Sequence, residues 1–161
     1  MASSVQNKQP SQLLVGIDVG STTAKIAVMD AASHKVLMRR YVRHHAQQAN
    51  CLKSLLAELD QQFGGIPMRA ALCGSGGAAL AEALDLPYVQ EVVANSLAVG
   101  AHYPTARTAI ELGGQDAKMI FFKYDKEANR LSVADMRMNG SCAGGTGAFV
   151  DEIATLLKVP T

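Results

Sequence analysis

Hydrophobic and polar positions alternate in short runs, punctuated by small or turn-forming residues. Residues 13–17 (LLVGI) are continuously apolar, which predicts a strand buried on both faces. Asp18, Val19, Gly20 and Ser21 read as a turn, and residues 23–29 resume as a β-branched and apolar strand, so the two form a hairpin. A third strand is expected over 36–42, after the turn-like Asp30, Ala31, Ala32 and Ser33. Ala49, Leu52, Leu55, Leu56, Leu59 and Phe63 then recur at helical spacing, with Gly64 and Gly65 as the stop.

Beyond that helix, 68–73 is strand-like, and Gly74, Ser75, Gly76 and Gly77 lead into a short Ala-rich helix that Leu86-Pro87 ends. Val89, Val92, Val93 and Leu97 put an apolar stripe on another helix running to about Ala101. Three more strands are expected over 108–112, 118–124 and 131–138, with a polar hairpin loop at 125–130. Phe149, Ile153, Leu156 and Leu157 mark one face of a closing helix. A hairpin with a Gly-bearing turn occurs twice, near Asp18 and near Glu111. Three strands and one helix after residue 105 would make an incomplete layer with exposed apolar surface, so the chain is expected to continue in a longer parent.

Composition narrows the class. With 161 residues and 48% apolar content, the chain suits an ordinary globular protein. A net charge of +1 gives no footprint for nucleic acid, and no apolar run of about 18 residues is available to span a membrane. Arg39, Arg40, Arg43, His44 and His45 form the basic cluster, read as an exposed strand end. Residues 1–12 are a polar, disordered leader without the apolar segment of a secretory signal. Three scattered cysteines form no disulfide framework, in keeping with a reducing, cytoplasmic setting. Cys51 and Cys73 read as core or near-core thiols, and His34, His44, His45 and His102 as surface residues. Glu91 reads as an exposed helix carboxylate, with a cleft-facing role as the alternative.

Three segments could carry chemistry. In Gly16-Ile17-Asp18-Val19-Gly20-Ser21-Thr22-Thr23, a carboxylate at a strand end precedes a small-residue turn. Such a turn can hold phosphate oxygens on its N–H groups and hydroxyls. Asp18 could hold hydrated Mg²⁺, which takes one or two carboxylates beside water and phosphate. Glu111-Leu112-Gly113-Gly114-Gln115-Asp116 repeats that logic, and two such turns fit two lobes gripping phosphates from opposite sides. Either turn alone is also that of a plain hairpin. In the third segment, Gly140, Gly144, Gly145 and Gly147 surround Cys142 just before a helix N-terminus. The dipole there favours a thiolate, or an iron–sulfur cluster of net negative charge. A small buried thiol is the plainer alternative.

Together these segments resemble the ATPase family of 2-hydroxyacyl-CoA dehydratase activators and benzoyl-CoA reductase ATPase subunits, within the acetate and sugar kinase, Hsp70 and actin superfamily. The matching stretches are 16–25, 111–118 and 139–152. The resemblance implies an α/β, ribonuclease H-like ATPase fold of actin/Hsp70 type, with a first lobe over 13–105 and the start of a second over 106–161. It implies ATP and Mg²⁺ as cofactors, with Asp18 and Glu111 as catalytic carboxylates. Gly20, Ser21, Thr22, Thr23 and Lys25 would face the phosphates from one lobe, and Gly113, Gly114, Gln115 and Asp116 from the other. It further implies a homodimer sharing one 4Fe–4S cluster, with Cys142 as one ligand and the second beyond Thr161. Reduced ferredoxin or flavodoxin would supply an electron that passes to an acyl-CoA dehydratase or reductase partner. Glu111 stands where much of the superfamily has Asp, which puts a metal role for it in doubt. The adenosine-binding part is expected after this chain. A sugar or acyl kinase would use the same phosphate turns without needing Cys142, and a non-catalytic nucleotide-binding module would leave that thiol inert.

Overall fold

In the computed structural model, residues 10–114, 116–139 and 146–160 are described; Gln115 and the segment 140–145, Cys142 within it, lie outside them. The expected strands and helices are present. Strands β1 (Leu13–Val19), β2 (Thr23–Asp30), β3 (Val36–Arg43) and β4 (Met68–Cys73) form a sheet of order β3-β2-β1-β4, in which β4 alone is parallel to its neighbour. Helix α1 (Gln48–Phe63) connects β3 to β4.

Leu13, Val15, Ile17 and Val19 of β1 point to one face, beside Ala24, Ile26 and Val28 of β2, and all are buried. Leu52, Leu55 and Leu59 of α1 cover this face. Each such leucine contributes roughly 2 kcal/mol by leaving water. No side-chain cap closes the N-terminus of α1, so packing carries the helix. At its other end Gly64 N–H donates to Asp60 O at 2.7 Å, and Gly65 turns away at φ +82°.

Two expectations about β1 need correction. The strand runs through Asp18 and Val19, so the turn is Gly20-Ser21-Thr22, closed by Gly20 N–H donating to Thr23 O at 2.9 Å. Nor is β1 buried on both faces: Leu14 is half-buried and Gly16 exposed on the side away from α1. A continuous apolar run hides the alternation because Gly16 adds no polar signal. The polar residue on that face is Asp18.

After β4 come α2 (Ala78–Ala83) and α3 (Glu91–His102). Val89 lies before α3 rather than in it: Leu72 N–H donates to Pro87 O at 2.9 Å, and Val89 N–H to Leu72 O at 2.7 Å. The free edge of β4 captures this stretch as a one-residue parallel bridge, which satisfies backbone groups that a proline-interrupted helix would leave open. A second, antiparallel sheet, β5-β6-β7, consists of β5 (Thr108–Leu112), β6 (Ala117–Asp125) and β7 (Arg130–Met138), followed by α4 (Gly147–Leu157). Its small core of Ile120, Phe122 and Leu131 takes in Val92 and Val99 of α3. Ile110 is 64%, Leu112 67% and Leu156 72% exposed.

Gly74, at φ +97°, carries a close approach. A Cβ there would strike Val19 O and stand 2.5 Å from Asp18 Oδ1. Gly16 has nothing within 4 Å of such an atom. Gly74→Ala is expected to destabilise by about 1–3 kcal/mol, whereas Gly16→Ala should be neutral or stabilising by up to ~1 kcal/mol. Denaturant unfolding of both variants checks the contrast.

Candidate functional site

The face of the first sheet that α1 leaves uncovered carries a row of side chains at one end. Cross-strand pairing aligns Tyr41 with Lys25, Lys25 with Asp18, and Asp18 with Cys73. Lys25 Nζ donates to Asp18 Oδ2 at 2.5 Å and lies 5.5 Å from the centre of the Tyr41 ring. This row forms one wall of a cleft of about 290 Å³, which Glu91 and Asn95 of α3 and Glu111 and Gly113 at the end of β5 complete. The sequence-predicted Asp18 and Glu111 thus share one cavity with Lys25 and Gly113.

The second hairpin repeats the first at the level of side chains. Asp18 faces Lys25 across β1–β2, and Glu111 faces Lys118 across β5–β6. The second pair is looser, 3.5 Å between Lys118 Nζ and Glu111 Oε1, because Lys118 is shared with Glu91 in a shorter ion pair. Asn95 Nδ2 donates to Glu111 Oε2 at 2.8 Å. Glu111 is therefore held by two partners, Asn95 of α3 and Lys118 of β6, whereas Lys25 is the side-chain partner of Asp18.

The two turns touch. A Cβ on Gly114 would collide with the Thr22 side chain, so only glycine lets the turns pack this closely. Gly113 N–H donates to Asp116 O at 2.8 Å, and Gly147 N–H donates to Gly113 O at 2.9 Å, which seats the start of α4 on the second turn. Arg43 at the end of β3 holds both carboxylate oxygens of Asp151 in α4, at 2.7 and 2.6 Å. Among the other predicted residues, Gly20, Ser21 and Thr22 are half-buried in the first turn, Thr23 is buried and Asp116 exposed. Gln115 and Cys142 lie outside the described residues, among which no group of three or more His, Cys, Asp or Glu side chains could hold a metal ion.

The cleft also contains residues that the sequence reading placed elsewhere. Glu91 is half-buried and ion-paired, not an exposed helix carboxylate. Its spacing of four from Asn95 puts both on one side of α3, a polar stripe that the apolar stripe obscured. Cys73 packs near the core yet lines the cleft, and its pKa is pushed up to about 11, first by burial and then by the charges of Asp18, Glu91 and Glu111. Burial works to lower the pKa of Lys118, but the hydrogen bond to Glu91 and the charges of Glu111 and Glu91 outweigh it and leave it above the ordinary value. His44 is 4% exposed rather than a surface residue, because its ring turns inward onto the first turn. Arg39, Arg40 and Arg43 are exposed as expected, with Arg40 paired to Glu58.

Solved structures give the class. The (R)-2-hydroxyglutaryl-CoA dehydratase component A of Acidaminococcus fermentans superposes with a TM-score of 0.74 at 25% identity, over 93% of this chain and 56% of that one. The activator of 2-hydroxyisocaproyl-CoA dehydratase from Clostridium difficile, solved with bound ADPNP, gives 0.69 at 22% identity over 92% and 53%. The fold is that of the actin/Hsp70-type, ribonuclease H-like ATPases. More narrowly, the chain belongs to the BadF/BadG/BcrA/BcrD ATPase family, whose model matches residues 15–160. In sequence it is 26% identical over 146 residues to the (R)-2-hydroxyglutaryl-CoA dehydratase activating ATPase of A. fermentans, covering 90% of this chain and 54% of that protein. The chain spans about half the length of the curated relatives it matches.

Lys118→Met leaves Glu91 and Glu111 facing each other without their shared cation. It should cost about 1–3 kcal/mol in denaturant unfolding at neutral pH. With Cys51 and Cys142 replaced by serine, alkylation of Cys73 by iodoacetamide should accelerate with pH toward a midpoint near 11. A midpoint at or below 9 would contradict the crowding of carboxylates around that thiol.

Proposed function

We propose that this chain is the nucleotide-facing front part of an ATP-dependent activator of an acyl-CoA dehydratase or reductase. The observation that supports it is the pairing of two carboxylate-and-glycine turns against one another at a shared cleft. The donor set fits magnesium and phosphate. Asp18 is an accessible carboxylate of the kind hydrated Mg²⁺ takes, and Lys25 can turn from it to a phosphate oxygen. Gly20, Ser21 and Thr22 would take phosphate from one side, and Gly113, Gly114 and Gln115 from the other. Relatives named as dehydratase activators support the partner class.

On this reading residues 13–105 form a first lobe and 106–161 the start of a second. Apolar groups such as Leu112 and Leu156 would be covered within a longer protein. Cys142 would be one ligand of a 4Fe–4S cluster shared across a homodimer, in the cytoplasm. That cluster would supply the low-potential electron, received from ferredoxin or flavodoxin and passed to the partner. The role of this chain's own residues is to tie that segment to the nucleotide turns: Gly147 donates to Gly113, and Arg43 grips Asp151.

The test is iron and sulfide analysis of the full-length parent prepared without oxygen, as wild type and as Cys142→Ser. Stoichiometric iron, lost in the variant, is the expected result, together with ATP hydrolysis that Asp18→Asn lowers by about 100-fold or more. Iron that persists without the Cys142 sulfur, or an iron-free wild type, would overturn the activator reading. Phosphoryl transfer to a small hydroxyl substrate by an iron-free protein would favour a kinase.

A further inference from the structure

His44 is a buried histidine that the ATPase reading does not use. It directly follows Arg43, the partner of Asp151, and it precedes His45 and Ala46, which both lie in the left-handed region at φ +47° and +61°. Non-glycine residues enter that region at a cost, and two in succession fix the path of the chain from β3 toward α1. The result is a double grip on the first turn. His44 backbone N–H donates to Thr22 O at 3.2 Å, and its ring Nε2 lies 3.0 Å from Gly20 O. A carbonyl can only accept, so Nε2 carries a proton and donates to Gly20 O. Nδ1 is buried and has no hydrogen-bond partner among the described residues.

That unpaired nitrogen argues against a packing role. A leucine would fill the same place without bringing an unpaired ring nitrogen into it. What the histidine adds is the bond to Gly20 O, at the head of the turn that the proposed function assigns to phosphate. We infer that His44 is a positioning residue for the nucleotide's phosphates: it holds the Gly20 and Thr22 carbonyls, so that the backbone N–H groups of Ser21 and Thr22 are left to face an anion. This rests on the proposed nucleotide reading and adds to it a residue outside the cleft lining.

Binding of Mg·ADPNP and of adenosine to the full-length parent, compared among wild type, His44→Leu and His44→Gln, tests the role. His44→Leu leaves the Gly20 carbonyl without its ring donor and should weaken Mg·ADPNP about tenfold, as the loss of one part-buried hydrogen bond implies. Adenosine affinity should not change. His44→Gln keeps an N–H within reach of Gly20 O and should stay within about threefold of wild type. If His44→Leu does not fold, His44→Asn, too short to reach that carbonyl, should show the same tenfold loss. Unchanged Mg·ADPNP affinity in the leucine or asparagine variant, or a parallel loss for adenosine, overturns the positioning role alone. A wild type that binds no Mg·ADPNP overturns the phosphate reading and this inference with it.

Discussion

The contact between Thr22 and Gly114 is the constraint on which the site depends. It brings the turn after β1 and the turn after β5 together, although 92 positions separate the two residues. A side chain at 114 would hold the turns apart, and the carboxylates before each turn would no longer share a cavity. The bond from Gly147 to Gly113 then hangs α4 on the same point. Arg43 closes the circuit from the far side, so the start of α4 is held by a backbone bond at one end and an ion pair at the other. Movement at either turn is therefore geometrically linked to α4.

The charges of the cleft favour a cation over an apolar ligand. Asp18, Glu91 and Glu111 meet Lys25 and Lys118, leaving the group acidic by one charge. The crowding is visible in Cys73, whose thiol is held in its protonated form by burial and by those carboxylates. A divalent cation would relieve the excess, and the lysines and turn amides offer partners for the oxygens it brings. The same field that makes the cleft attractive to cations disfavours the Cys73 thiolate.

Much of this was legible in the sequence where a local rule decides the outcome. Strand and helix identities followed from period and punctuation, and the repeated carboxylate–glycine turn pointed to two facing hairpins. Legibility failed where one residue answers to a distant partner. Val89 continues the apolar stripe of α3, yet the edge of β4 takes its backbone. Glu91 and Asn95 look like surface positions of a helix until β5 and β6 bring Glu111 and Lys118 against them. His44 sits in a basic run that suggests solvent, and only the inward turn of the chain at His45 and Ala46 buries it. The glycine run around Cys142 was conspicuous in the sequence, and all of it but Gly147 lies outside the described residues.

The two hairpins are copies in outline but not in chemistry, and a single methylene marks the difference. Asp18 is short, reaches only its cross-strand lysine among the described residues, and remains open to the cleft. Glu111 is longer and is drawn sideways to Asn95 while sharing Lys118 with Glu91. A carboxylate with two fixed partners has fewer lone pairs to offer a metal than one with a single exposed lysine. Of the two carboxylates Asp18 is the more open, and Glu111 ties the second turn to Asn95 of α3. An aspartate in its place would have to give up Asn95 or move the turn, so the longer side chain fits a fastening role.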